Sequence, residues 1–218
     1  MKNKKERVMV DELIKIPALS AELTGNLNIP YQASGLVIFS HGSGSSRLSP
    51  RNNYVAEVIR NQQMGTLLFD LLTEKEDEEY ERRFNIDLLT ERLVAVTEWI
   101  ETQPQVQNLP FGYFGASTGA ASALSAAAGL EHRIKAVVSR GGRPDLSLEV
   151  LYQVTAPTLL IVGSLDDQVI TLNQQAYDKL TGKKELKIIA GASHLFEEPG
   201  KLEEVADLAA GWFKKYLH

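Results

Sequence analysis

The sequence contains no cysteine, and this absence excludes several classes of function at once. A chain without thiols forms no disulfide framework, no thiolate nucleophile, no cysteine-based zinc site and no iron–sulfur cluster. Any covalent catalysis must therefore use a different nucleophile.

Long apolar runs are missing as well. The longest, at residues 36–39 and 158–162, are far shorter than the roughly 18 residues that a membrane-spanning helix needs. Residues 1–5 are basic enough for a signal peptide, but charged residues between positions 6 and 12 interrupt what would have to be its apolar core. We therefore expect a cytoplasmic protein with no membrane association.

The chain also lacks a strongly basic character. Its formal net charge is -5 at pH 7, and the basic clusters at residues 2–7 and 183–184 are short and carry no interleaved aromatic residues. Because these features do not fit a nucleic-acid-binding surface, we expect small-molecule or protein partners. With 44% hydrophobic and 23% charged residues, the composition is that of a globular protein, and we interpret residues 1–218 as one compact domain.

Short, continuous apolar runs dominate the chain from Gly35 onward. Such runs are typical of parallel strands covered on both faces, and they lie at residues 36–39, 66–69, 111–114, 136–138 and 159–162. Residues 8–16 and 21–29 show a partial alternation instead, which predicts an antiparallel strand pair. Residues 184–189 are predicted to form the last strand.

Helical periodicity separates these strands. The predicted helices cover residues 54–59, 88–100, 120–130, 172–180 and 202–217. Strands that alternate with helices predict a doubly wound, mostly parallel α/β sheet with right-handed crossovers. No internal repeat, low-complexity linker or composition break suggests a second domain.

One segment, residues 74–83, consists almost entirely of charged residues. Charge runs of this kind usually form a solvated loop or helix surface, and we favour that interpretation. The alternative is a mobile flap beside a functional site.

A G-x-S-x-G sequence at residues 115–119 provides a candidate nucleophile, Ser117. It follows an apolar strand and opens an Ala-rich helix, which is the context of a nucleophile elbow. The turn forces the serine into a strained backbone conformation that presents its hydroxyl above the sheet edge. Only small neighbours such as Gly115 and Gly119 leave room for that packing.

A serine hydroxyl needs a base, and the base needs an orienting acid. Of the four histidines, His132 lies too early in the chain and His218 is the terminal residue. His194 follows a late strand, where this kind of site places its base. We therefore predict His194 as the base.

The acid is expected after the strand at residues 158–162, in the loop that carries Asp166 and Asp167. Parallel sheets place their sites at the carboxyl ends of their strands. Adjacent side chains in an extended loop point in different directions, so one carboxylate reaches the histidine while the other caps the following turn or faces water. We favour Asp166 and keep Asp167 as the alternative.

The loop after the first parallel strand, residues 40–46, is rich in glycine and serine. It is suited to direct backbone N–H groups at an oxyanion, and we predict Ser43 and Thr118 as the amide donors. His41 in this loop is interpreted as structural. The loop has neither the G-x-x-x-x-G-K-[ST] spacing nor the G-x-G-x-x-G fingerprint of nucleotide sites, and we expect no cofactor and no metal.

With Ser117, Asp166 and His194 in this order, the chain resembles the α/β-hydrolase superfamily over nearly its whole length. Within it, the chain is most similar to the dienelactone-hydrolase-like group of small hydrolases without a cap domain. The particular resemblance lies in residues 112–120, 139–145 and 191–197, which read GYFGASTGA, SRGGRPD and GASHLFE. These stretches occur together in a bacterial subgroup in which some members carry an amino-terminal phosphoribosyltransferase domain. Because this chain begins at the first strand, we expect it to lack that domain.

The resemblance implies an α/β-hydrolase fold and a hydrolytic triad. Dienelactone hydrolases proper use a cysteine nucleophile, which this chain does not have, so their substrate is not implied. The stretch between residues 138 and 158 is too short for the inserted helical cap found in many relatives, and the pocket is expected to be shallow and open.

Two arginines, Arg140 and Arg143, follow a predicted strand end at the sheet edge where the site forms. A guanidinium there is able to bind a substrate carboxylate through two hydrogen bonds. Arg143 is equally able to pair with Asp145 or another acid of the loop. Substrate binding is the first hypothesis for both arginines, with a role in loop structure as the alternative for Arg140 and loop pairing as the alternative for Arg143.

The leading hypothesis is a serine hydrolase that cleaves a small carboxylic ester or thioester through an acyl-enzyme intermediate. Acyl transfer and peptidase activity use the same groups and remain alternatives. A non-catalytic binding or regulatory module of the same fold is the alternative from a different class, although a pure binder has no need for the whole triad. The oligomeric state is not predicted.

Overall fold

A computed structural model describes residues 8–218 of the chain, which form one sheet of eight strands with helices on both faces. The strands are β1 (Val8–Ala18), β2 (Ala21–Pro30), β3 (Leu36–Ser40), β4 (Gly65–Phe69), β5 (Phe111–Ala116), β6 (Ile134–Arg140), β7 (Thr158–Gly163) and β8 (Lys184–Ile189). The helices are α1 (Pro50–Asn61), α2 (Glu74–Asp77), α3 (Ile86–Glu101), α4 (Thr118–Leu130), α5 (Asp167–Lys179) and α6 (Lys201–Tyr216). The basic cluster at residues 2–7 and the signal-peptide interpretation of residues 1–5 lie outside the described residues. None of the helices within the described range has the length and apolarity to cross a lipid bilayer.

The strand order in the sheet is β1-β2-β4-β3-β5-β6-β7-β8. β1 pairs with β2 in antiparallel fashion, β2 joins β4 in the same way, and every later pair is parallel. This arrangement confirms the predicted mostly parallel α/β sheet with an antiparallel amino-terminal pair.

The central strands are largely apolar because both of their faces are covered. In β3, Leu36 and Ile38 pack on the face that also buries Leu93 of α3, whereas the alternate residues pack on the face that buries Phe213 of α6. Each such side chain contributes about 1.5–3 kcal/mol when it is removed from water. The two layers therefore cover both faces of the sheet and leave its carboxyl edge open for loops.

Helix starts depend on polar caps that hydrophobic periodicity does not show. α1 begins at Pro50 because the Ser49 hydroxyl accepts a hydrogen bond from the Asn52 N–H. α5 begins at Asp167, well before the predicted start at residue 172, and no side-chain cap marks its start. Its first two residues, Asp167 and Gln168, are exposed and polar, so the apolar pattern did not show them as helical.

Residues 74–83 form a solvated helical surface, as the charge run predicts. α2 and a following 3₁₀ turn (Tyr80–Phe84) contain no buried residue. Thr73 and Glu76 form a capping box at the start of α2. Glu76 also accepts a hydrogen bond of 2.7 Å from Arg92, a buried residue of α3, so the segment is attached to the body of the protein.

Candidate active site

The structure brings the predicted site residues to one edge of the sheet. Ser43 follows β3, Ser117 follows β5, Arg140 ends β6, and Asp166 and His194 lie in the loops after β7 and β8. These strands are parallel neighbours, so their carboxyl ends meet at the same edge.

Ser117 sits in a strained turn between β5 and α4. Its backbone angles are φ 52° and ψ -124°, a region that side-chain-bearing residues rarely adopt. Its N–H donates to the Arg140 carbonyl at 3.1 Å, and its own carbonyl accepts the Arg143 N–H at 3.0 Å. The loop after β6 therefore holds the strained residue in place.

The two glycines of the G-x-S-x-G sequence are required by close packing. A Cβ at Gly115 would lie 2.5 Å from the Ala120 Cα, and a Cβ at Gly119 would lie 2.2 Å from the Ser40 carbonyl oxygen. Gly42 faces the serine itself, because a Cβ there would lie 3.0 Å from the Ser117 Cβ. The turn is thus in direct contact with the loop that follows β3.

His194 contacts Asp166, with 2.6 Å between the imidazole Nδ1 and the carboxylate Oδ2. Nδ1 therefore carries the proton that the carboxylate accepts, and Nε2 has no protein partner among residues 8–218. The imidazole lies against the loop after β6, whose backbone bonds to Ser117, because a Cβ at Gly141 in that loop would lie 3.5 Å from the His194 Cε1. Asp167 is instead exposed at the start of α5.

The loop that carries His194 is fixed by two side chains that the sequence analysis missed. The Glu198 carboxylate accepts the Ser193 N–H at 3.1 Å, and hydrogen bonding to Ser193 holds the pKa of Glu198 below its usual value. The Ser164 hydroxyl accepts the Gly191 N–H at 2.8 Å. Polar residues that bond to distant backbone groups leave no periodic pattern in the sequence, so neither role could be predicted from it.

The two predicted oxyanion donors lie next to each other but are not equally free. The Ser43 N–H donates to the Thr118 Oγ1 at 2.9 Å. The Thr118 N–H belongs to the first turn of α4, where amides have no intrahelical acceptor. Among the described residues, the Thr118 amide is therefore free, whereas the Ser43 amide already donates to the Thr118 hydroxyl.

His41 connects the loop after β3 to the end of β4. Its Nε2 accepts the Leu71 N–H at 3.0 Å, and its Nδ1 lies 2.9 Å from the Gly42 carbonyl oxygen, to which it donates. Burial lowers the pKa of His41, so the neutral form is favoured. These contacts agree with the structural role predicted for this residue.

The two candidate arginines differ in their surroundings. Arg143 makes two hydrogen bonds of 2.8 Å to Asp145, which is the loop pairing considered above. Arg140 does not follow the strand, as the sequence suggested, but is the last residue of β6 and is 7% exposed. The Arg140 guanidinium has no acidic partner among the described residues, and burial, with a smaller effect of the Arg51 charge, lowers its pKa to about 10.

Asn173, buried in α5, is a further residue that the sequence analysis missed. Its side-chain amide donates to the Gly142 carbonyl at 2.9 Å and to the Val169 carbonyl at 2.8 Å. It fixes the loop whose backbone bonds to Ser117.

Comparisons with known proteins place these features in a family context. The family model described as the dienelactone hydrolase family matches residues 52–216. A protein of Mycobacterium tuberculosis, named as a phosphoribosyl transferase, is 53% identical over 207 residues, which are 95% of this chain and 47% of that protein. The chain thus spans about half the length of the curated relatives it matches.

Two solved structures illustrate the similarity of fold. The dienelactone hydrolase from Anabaena variabilis shares 52% sequence identity with a TM-score of 0.93, covering 96% of this chain and 99% of that chain. Est1E from Butyrivibrio proteoclasticus has a TM-score of 0.77 at 16% identity, covering 93% of this chain and 98% of that chain. The second likeness is one of fold alone.

Proposed function

The chain belongs to the dienelactone hydrolase family, and on that premise we propose that this hydrolase is a serine enzyme that cleaves a small carboxylic ester or thioester through an acyl-enzyme intermediate. The observation that carries the proposal is the 2.6 Å contact between His194 and Asp166 at the sheet edge where the strained Ser117 turn lies. A chain without cysteine has no thiol nucleophile, which supports a serine in that role.

In the proposed mechanism, the Ser117 Oγ attacks the carbonyl carbon of the substrate and His194 Nε2 takes the hydroxyl proton. Asp166 holds the proton on Nδ1, which keeps Nε2 available as the acceptor and stabilises the imidazolium that forms. His194 then gives its proton to the leaving alcohol or thiol, and water releases the acyl group by the same steps.

The negative oxygen of each tetrahedral intermediate needs donors that are already in place. The Thr118 N–H is one, and the Ser43 N–H is the second, which has to share its hydrogen with the Thr118 hydroxyl. Preorganised donors of this kind contribute a large part of the rate enhancement of acyl transfer.

The relatives from M. tuberculosis carry a different name, phosphoribosyl transferase. That name belongs to proteins in which the matched region is 47% of the length. Hydrolysis is the activity that the geometry of the present site supports.

Labelling with a fluorophosphonate tests the proposal directly. We expect one covalent adduct, mapped by mass spectrometry to Ser117, and hydrolysis of p-nitrophenyl butyrate. Ser117→Ala should abolish labelling and lower kcat by about three orders of magnitude or more. Ser45→Ala, which alters a serine of the neighbouring loop, serves as the control and should retain both. An adduct at another serine with Ser117 unmodified would contradict the assignment.

Arg140 is proposed to bind a carboxylate of the substrate, because its buried charge has no acidic partner between residues 8 and 218. Arg140→Gln should then raise KM about 10-fold or more for the mono-p-nitrophenyl ester of glutaric acid and leave the neutral butyrate ester nearly unchanged. Arg143→Gln is the matched control, since Arg143 already pairs with Asp145. Equal losses on both esters would assign Arg140 to loop structure.

A further inference from the structure

The Thr118 hydroxyl accepts the hydrogen bond that the Ser43 amide was expected to donate to the oxyanion. The Ser43 N–H donates to the Thr118 Oγ1 at 2.9 Å, which uses one lone pair of that oxygen. The hydroxyl hydrogen remains, and within residues 8–218 it has no acceptor. Thr118 is only 3% exposed, so water has little access to that hydrogen.

A buried hydroxyl donor without an acceptor is costly, and proteins rarely keep one without a reason. In the interior of a helix, a threonine hydroxyl usually donates to the carbonyl four residues earlier, as Thr97 does to Leu93 in α3. Thr118 is the first residue of α4, and no carbonyl of its own helix precedes it. Its hydroxyl and its N–H are therefore two donors of one residue, both without an acceptor in the part of the chain that the structure describes, directly after the proposed nucleophile.

The loop that carries Ser43 has little freedom to move away from Thr118. A Cβ at Gly119 would lie 2.2 Å from the Ser40 carbonyl oxygen and 2.4 Å from the His41 carbonyl oxygen, so the start of α4 packs directly against the loop backbone. His41 bonds the same loop to Leu71 beyond β4. The hydrogen bond from Ser43 to Thr118 is therefore expected to persist when substrate reacts.

We propose that the Thr118 hydroxyl donates to the oxyanion together with the Thr118 N–H, and that the Ser43 amide acts mainly by polarising this hydroxyl rather than as the direct donor described above. The Ser43 N–H polarises the Thr118 Oγ1, and the Thr118 Oγ1–H donates to the negative oxygen that forms when Ser117 attacks. No proton is transferred in this step. The hydroxyl is a donor to the oxyanion in both the acylation and the deacylation intermediates. This inference rests on the proposed function, because an oxyanion forms only if Ser117 is acylated.

Three substitutions at position 118 distinguish donation by the hydroxyl from a spacer role, in which the side chain only fills space. Thr118→Ser keeps the hydroxyl, Thr118→Val keeps the shape without it, and Thr118→Ala removes both. With p-nitrophenyl butyrate, we expect Thr118→Val and Thr118→Ala to lower kcat about 10²–10³-fold, the usual loss for one oxyanion donor. KM should change little, and Thr118→Ser should recover most of the rate.

A trifluoromethyl ketone with the same alkyl chain provides a second measurement, since it forms a tetrahedral adduct with the serine. Its inhibition constant should weaken in Thr118→Val by the same factor as kcat falls, whereas a spacer role predicts no such parallel. Thermal unfolding identifies any variant that fails to fold, and Thr118→Ser keeps the test usable in that case.

Two outcomes would overturn the inference while leaving the proposed function intact. One is a Thr118→Val enzyme as fast as the wild type, and the other is a faster Thr118→Ala enzyme, which would show that the hydroxyl blocks the Ser43 amide. A wild-type protein that forms no adduct at Ser117 and cleaves no ester would refute the proposed function and this inference together.

Discussion

Gly42 offers a sharp test of the geometry around Ser117, because its missing side chain is what allows the loop after β3 to contact this proposed nucleophile. In Gly42→Ala, the new Cβ would lie 3.0 Å from the Ser117 Cβ and 3.1 Å from the Ala116 carbonyl oxygen. Carbon atoms in ordinary contact are about 3.5–4.0 Å apart. The substitution therefore forces a separation of about half an ångström between the loop and the serine.

The loop should yield rather than the serine. Ser117 is fixed by its hydrogen bonds of 3.1 Å to Arg140 and 3.0 Å from Arg143. A displacement of 1 Å at a catalytic group costs about 10²-fold in rate, so half that distance should lower kcat about 10-fold, with 10²-fold as the upper range. Overpacking of this kind should also reduce the free energy of unfolding by about 1–3 kcal/mol.

The assay combines kcat and KM for p-nitrophenyl butyrate with urea unfolding monitored by tryptophan fluorescence. Gly129→Ala is the matched control: a Cβ there meets nothing within 4 Å, so activity should be unchanged. Because Gly129 lies within α4, that control should gain up to about 1 kcal/mol in stability. A Gly42→Ala enzyme with lowered stability but wild-type kcat would refute the reasoning, since the loop would then move without affecting catalysis.

Further predictions concern the acid and the buried histidine. Asp166→Asn should lower kcat about 10⁴-fold by favouring the wrong imidazole tautomer. Asp167→Asn, at an exposed position, should change kcat by no more than a few-fold. The reverse ranking in steady-state kinetics would assign the acid to Asp167. Because burial lowers the pKa of His41 from 6.5, the unfolded chain binds a proton that the folded chain does not, and stability is lost as the pH falls below about 6.5. The loss should reach at most about 1.4 kcal/mol per pH unit. His41→Gln should flatten this slope in urea titrations between pH 5 and 7.5, and parallel slopes would exclude His41 as its source.

Hydrophobic patterning located the apolar part of each strand, and it failed where a strand ends in buried polar residues. β6 was expected to end near Val138, yet it continues through Ser139 and Arg140, both of them buried. A buried polar residue looks like a loop residue in the sequence. Its strand position depends on the pairing of Arg140 with Ala116 and Ile161, which only the assembled sheet shows.

The residues of the candidate site could be predicted where the residue type and its place after a strand together indicate one chemical role. Ser117 was identified from its turn, and Asp166 and His194 from their places after successive strands. The supporting residues Asn173 and Glu198 were not, because each forms ordinary hydrogen bonds to a loop backbone. A polar side chain with such a role cannot be told from an exposed one until the fold brings its partner close.

The topology that brings the site residues together also makes the site form late during folding. Ser43 and Thr118 are 75 residues apart in the chain, and Asp166 and His194 are 28 apart, yet both pairs are in hydrogen-bond contact. Contacts between distant segments form slowly, because the chain must lose the entropy of a long loop before it gains them. Helices form within microseconds, so far-ultraviolet circular dichroism should recover early when the protein is diluted from urea. Covalent labelling of the proposed nucleophile by fluorophosphonate should recover only when β3, β5, β7 and β8 have joined, so the rate of labelling would report the last stage of refolding.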